Sequence, residues 1–115
     1  GGRVNATYER GEVSITLLMV AARSGHERVV ELLLRHGAEV DKRSSSGITA
    51  LMIAALFNHH AVVRRLLRAG ADAAARTDDG KTALQWAEEN GHAECVRALE
   101  EHSSTAAEAE GETAA

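Results

Sequence analysis

Short runs of apolar residues recur along the chain at one fixed interval. Leu17-Leu18-Met19-Val20-Ala21-Ala22 is followed, 33 residues on, by Ala50-Leu51-Met52-Ile53-Ala54-Ala55, and 33 further by Ala83-Leu84-Gln85-Trp86-Ala87-Glu88. Each run is preceded by a threonine, Thr16, Thr49 or Thr82. These are helix-start signals, because the hydroxyl can accept from a free amide of the first turn, worth on the order of 1 kcal/mol. Ala21, Ala54 and Ala87 put a small side chain on the inner stripe, so neighbouring helices can approach closely. Gly25, Asn58 and Gly91 stand where the chain must leave the helix, and both residue types tolerate the left-handed conformation of such a stop. The first helix of each unit is therefore about two turns long.

A second helix is predicted in each unit. Its apolar positions are Val29, Val30, Leu32, Leu33 and Leu34 in the first and Val62, Val63, Leu66 and Leu67 in the second. Gly37 and Gly70 close these helices. Extended arms follow, Ala38-Glu39-Val40-Asp41 and Ala71-Asp72-Ala73-Ala74, each running into a turn-rich stretch, Ser44-Ser45-Ser46-Gly47 or Thr77-Asp78-Asp79-Gly80. His26, His59 and His92 share the same period, as do Leu33, Leu66 and Leu99.

From roughly Val4 to His102 the sequence resembles the ankyrin-repeat family. That family's signature is a 33-residue turn, helix, loop, helix unit opening on Thr-Pro-Leu-His-x-Ala. The resemblance implies an all-α helical solenoid with short β-hairpin-like turns. Its repeats would span 16–48, 49–81 and 82–102, the last as a C-terminal cap, with an N-terminal arm and extended loop over 1–15 and a disordered tail over 103–115. The signature's proline and histidine are missing from all three units, which implies a weakened cap network. Met19 and Met52 stand in the histidine's place and read as adaptable core filler. Trp86, in the register of Val20 and Ile53, also reads as core.

The ends of the stack differ from its middle. Val4-Asn5-Ala6 matches the arm at Val40-Asp41-Lys42, but 36 residues earlier rather than 33. Three extra residues are thus expected in a Tyr8–Ile15 loop, a candidate contact or a tolerated surface insertion. Glu88 and Glu100 replace apolar residues in the third unit, giving the polar outer face a terminal repeat needs. The first unit shows no such replacement. A further repeat or domain ahead of residue 1 is the expectation, with self-association through the first repeat as an alternative.

Charge and composition narrow the functional classes. The net charge is −4, and with Glu108, Glu110 and Glu112 of the tail set aside, thirteen basic side chains face fourteen acidic ones. A nucleic-acid binder would need a basic stripe, and the Arg64-Arg65-Arg68 cluster reads as a solvated helix face. The only aromatics are Tyr8, Phe57 and Trp86, so the core must be aliphatic. A single cysteine, Cys95, cannot form an internal disulfide, and no apolar run is long enough to span a bilayer. These features point to an intracellular chain with neither a nucleic-acid nor a membrane partner.

No catalytic, metal or cofactor site is expected. Three of the six histidines follow the repeat, His36 sits beside a helix-ending glycine, and His60 and His102 are isolated. Cys95 replaces Val29 and Val62 on a buried face, whereas a reactive thiol needs an electropositive, exposed setting. The family resemblance instead implies a concave protein-binding surface made from arm turns and first-helix ends. Its positions here are Ile15, Arg23 and Ser24 in the first unit, and Ser45, Ser46, Ile48, Leu56 and Phe57 in the second. Asp78, Asp79, Lys81, Glu89 and Asn90 follow in the third. Ile15, Ile48, Leu56 and Phe57 are apolar where solvent-facing residues are expected, which suits a peptide with an apolar anchor and charges of both signs. Three classes stay open: a protein-interaction module for a peptide or folded partner, a regulatory or targeting domain of a larger protein, and a structural spacer or self-association element.

Overall fold

The computed structural model describes the backbone of residues 7–10 and 13–102 and the side chains from Thr16 to His102. The Val4–Ala6 arm and the tail over 103–115 lie outside the described residues. Among the described residues six helices form three pairs: α1 (Leu17–Ser24) with α2 (Glu27–Arg35), α3 (Ala50–Leu56) with α4 (His60–Arg68), and α5 (Ala83–Glu89) with α6 (residues 93–102). A hairpin precedes them, β1 (Thr7–Arg10) antiparallel to β2 (Val13–Thr16), with Thr7 opposite Thr16 and Arg10 opposite Val13. The expected Tyr8–Ile15 loop is thus largely paired strand. Thr7, Tyr8, Val13, Ile15 and Thr16 are β-branched or aromatic, and the extra residues give this arm enough length to form a ladder.

α3 lies between α1 and α5, while α2 packs against α4. Ala22, Ala54, Ala55 and Ala87 have no exposed surface, so the first helices meet through small side chains. Leu18, Leu51, Val63, Leu66 and Leu99 complete a single aliphatic core.

All three first helices start in a reciprocal cap. The hydroxyls of Thr16, Thr49 and Thr82 accept from the amides of Met19, Met52 and Gln85 at 3.1, 3.4 and 3.2 Å. In return Met19 Sδ, Met52 Sδ and Gln85 Oε1 accept from the threonine amides at 3.5, 3.4 and 2.9 Å. The cap network expected to be weakened is therefore present. Methionine, read as core filler alone, is buried and also supplies a weak sulfur acceptor, the role filled by an amide oxygen in the third unit.

The helix stops adopt the expected left-handed backbone, with φ of 74° at Gly25, 62° at Asn58 and 69° at Gly91. The periodic histidines lock the stack. His59 Nε2 donates to the Arg23 carbonyl at 2.8 Å, and His92 Nε2 to the Leu56 carbonyl at 3.0 Å, one bond per junction between units. On the outer face Arg65 bridges from α4 to Glu27 and Glu31 of α2 at 3.1 and 2.9 Å, and Arg64 reaches Glu101 of α6 at 3.0 Å. The arginine cluster read as a solvated face is in part a set of cross-repeat ties. Hydrogen bonding to Glu27, ahead of the attraction of Glu31, raises the Arg65 pKa further.

The second-helix pattern needs one correction. Val29 and Leu32, predicted as interior, are 45% and 53% exposed, and Val20 of α1 is 48% exposed. All three lie on the side of the first unit where, in the other units, the preceding repeat provides cover.

Candidate functional site

The arms end in tight turns that hold backbone and side chains toward one edge of the stack. In the first arm Ser44 exchanges backbone bonds with Ile48 and Gly47, and its hydroxyl accepts from the amides of Ser46 and Ile48. The second arm repeats this with Thr77, which bonds the backbone of Lys81 and Gly80 and donates its hydroxyl to Asp79. The tips are joined: the Asp78 amide donates to the Ser46 carbonyl at 3.0 Å. The Arg43 guanidinium also donates to the Arg76 carbonyl. Ser45, Ser46 and Asp78 are exposed on these joined turns.

Behind the rim, an open cleft of about 220 Å³ runs between the second and third units. It is lined by Leu56, Asp79, Lys81, Trp86, Glu89 and Asn90. Five of these six were expected on the binding face, and the structure gathers them around one depression. Leu56 and Trp86 are half-buried and line the cleft, Trp86 also packing against the core. Lys81 Nζ bonds Glu89 Oε2 at 3.0 Å across the mouth, and that bond pushes the lysine pKa up. Asn90 Nδ2 donates to the Trp86 carbonyl at 2.7 Å, fixing the end of α5.

Trp86, read as core, is half-buried and packs against the core, and it also lines the cleft, which sequence reasoning missed. Its register companions Val20 and Ile53 are exposed and half-buried, so this row lies at the edge of the core. The size of Trp86 beside valine and isoleucine in the same register was the available signal.

The remaining expected residues are distributed along the same edge. Phe57 is 43% exposed with the Arg23 guanidinium 5.2 Å from its ring centroid, a cation–π contact joining the first two units. Ser24 is exposed at the end of α1. Ile48, expected as part of a free apolar patch, is instead half-buried against the core, because its carbonyl closes the arm turn and draws the side chain inward. Ile15 lies in β2, and its side chain is outside the described residues.

Two larger grooves, about 400 and 390 Å³, run between second helices on the outer face. Their walls hold the Arg64–Glu101 and Arg65–Glu31 pairs, whose charges are already matched. Cys95 is fully buried with Sγ 3.8 Å from Asn58 Oδ1, and burial, aided by Glu94, pushes its pKa up, away from a reactive thiolate. Among the described residues no group of three or more His, Cys, Asp or Glu could hold a metal ion, and no helix is long and apolar enough to cross a membrane.

Residues 4–77 match the family model described as ankyrin repeats in three copies, and residues 79–107 match that of a single ankyrin repeat. No curated protein matches the chain.

Proposed function

Because the chain belongs to the ankyrin-repeat family, whose repeats are protein-interaction modules, we propose that it is a non-catalytic module binding a protein segment along the rim and concave cleft. The observation that carries this reading is the juxtaposition of Leu56 and Trp86 inside a ring of Asp79, Lys81, Glu89 and Asn90. An apolar floor with a polar margin suits one anchoring side chain from a partner, flanked by hydrogen-bonding and charged groups. Asp79 and Glu89 outnumber Lys81, so a basic residue beside the anchor is favoured. Phe57 and Arg23 extend the surface toward the first unit. A lone, buried, unreactive thiol suits a reducing, intracellular compartment.

Trp86 is the only tryptophan, so its fluorescence reports occupancy of the cleft directly. Peptides selected from a displayed library on the full chain should perturb that emission. Leu56→Asp and Phe57→Asp should abolish their binding while helical circular dichroism persists. Arg68→Glu, in the outer grooves, should leave binding unchanged. Selected peptides that leave Trp86 emission unaltered and tolerate both concave-face substitutions would refute the assignment.

A further inference from the structure

Arg23, Leu56 and Glu89 hold one register, 33 residues apart, at the ends of the three neighbouring first helices. The row therefore runs cation, apolar, anion across the stack. The Arg23 guanidinium lies over the Phe57 ring, its centre 5.2 Å from the centroid. That contact occupies the face of the group and leaves the N–H donors at its edge. Among the described residues no carboxylate pairs with it, whereas Arg35, Arg64 and Arg65 are all matched by glutamates. At the opposite end Asp79 and Glu89 share the single cation of Lys81.

The spacing of the row decides which backbone can follow it. α3 touches both α1 and α5, with alanines at the contacts, so each step of the row is about 8–10 Å. A β-strand returns a side chain to the same face every second residue, about 7 Å, and next at about 13 Å, so it misses the step on both sides. An α-helix needs two full turns, about 11 Å, for each step and drifts past the row. A polyproline II segment has three residues per turn and a rise of about 3.1 Å, so every third side chain points the same way at intervals of about 9 Å. Proline-rich segments in that conformation also dock on aromatic side chains. Phe57 is 43% exposed beneath Arg23, and Trp86 lines the cleft with Leu56.

We propose that this row is a charge-ordered ruler for a partner segment in polyproline II conformation. An acidic side chain of the partner meets Arg23. An apolar one three residues away enters the cleft on Leu56 and Trp86, and a basic one three residues beyond reaches Asp79 and Glu89. This recognition rests on the concave-face assignment above and adds to it the order, spacing and backbone form of the occupant. A segment carrying one sign of charge throughout meets a like charge at one end of the row and is disfavoured there.

The test titrates the full chain with labelled proline-rich peptides, read by fluorescence anisotropy. Each carries a central leucine, with glutamate on one side and arginine on the other, at two, three or four residues from it. Both sequence directions are made, because the row fixes the order of the charges and not the direction of the partner's backbone. A helical peptide with the same charges seven residues from the leucine completes the set. Binding should be tightest at three residues and weaker by roughly fivefold at the other spacings, the loss of two exposed ion pairs. Arg23→Glu keeps the backbone carbonyl that accepts from His59, so the stack stays intact. It should weaken the three-residue peptide by roughly tenfold, and exchanging that peptide's glutamate for lysine should restore the affinity. Binding that Leu56→Asp abolishes but that ignores spacing, or an Arg23→Glu loss that the lysine peptide does not rescue, would overturn the ruler and leave the binding face standing. Tightest binding by the helical peptide would overturn it in favour of a helical occupant. Library-selected peptides indifferent to Leu56→Asp would remove the binding face itself, and the ruler with it.

Discussion

Gly25 and Gly91 occupy the same place in two repeats, and replacing each by alanine separates backbone strain from packing. Both have a left-handed backbone, φ 74° and 69°, so Gly91→Ala carries the conformational penalty of an L-residue there, roughly 1–2 kcal/mol. A Cβ on Gly91 would meet nothing within 4 Å. A Cβ on Gly25 would lie 2.6 Å from His59 Nδ1 and 2.7 Å from its Cε1. No side chain fits at that distance, so the imidazole must move and release the Arg23 carbonyl that it holds at 2.8 Å. Losing that bond adds about 0.5–1.5 kcal/mol, which brings Gly25→Ala to roughly 1.5–3.5 kcal/mol.

Urea unfolding followed by Trp86 fluorescence and helical circular dichroism gives both values on one protein. The decisive measurement is the cycle with His59→Ala: once the ring is gone, Gly25→Ala should cost no more than Gly91→Ala. Equal costs for the two glycine substitutions in the wild-type background would refute the reasoning. So would a Gly25→Ala penalty that His59→Ala leaves unchanged, since the steric contact would then carry no energy.

Met52→Leu keeps the core volume but removes the sulfur that accepts from the buried Thr49 amide; a loss of about 1 kcal/mol in urea unfolding is expected, and no change would mean the sulfur contact is idle. Arg65→Gln should lower stability at low ionic strength and by less at high salt, because its ties to Glu27 and Glu31 are exposed and screened; a salt-independent loss would count against them. Cys95 should resist thiol reagents in the native state and react at the rate of unfolding. Its folded pKa is raised, so above the ordinary thiol value the unfolded chain gives up a proton that the native chain keeps, and stability should fall as pH rises through that window. Cys95→Val, which restores the residue of the other units, should remove this slope, while any loss attributable to Lys81, whose folded pKa is also raised, begins only as pH approaches the lysine range.

Periodicity made most of the architecture legible because each repeated residue has the same neighbours in each unit. Threonine caps, left-handed stops, buried alanines and a buried Cys95 all follow from register alone. Register does not report exposure: Val29 and Leu32 have interior identity, yet they are 45% and 53% exposed. It also could not distinguish the methionine as core from the methionine as acceptor, since both roles want an unbranched side chain in one place. Helix-end and arm positions picked out five of the six residues that line the cleft. Ile48 and Trp86 are both half-buried against the core, where exposure depends on side-chain size and on which way the arm turn closes.

The polar groups of this stack divide according to how far along the chain their partners lie. His59 to Arg23, His92 to Leu56, Arg65 to Glu27 and Glu31, Arg64 to Glu101 and the Asp72 amide to Asp41 all join one unit to the next. Around the cleft, Thr77 with Asp79 and Asn90 with the Trp86 carbonyl are paired within a single unit, and Lys81 reaches no farther along the chain than Glu89. Groups of the first kind cannot change without weakening a junction. Those of the second kind hold only their own turn and helix end, and three of them lie at the surface, where such pairs contribute little to stability. The charges around Leu56 and Trp86 therefore contribute little to the stack beneath them, which is the physical basis on which one repeat scaffold can carry many different binding surfaces.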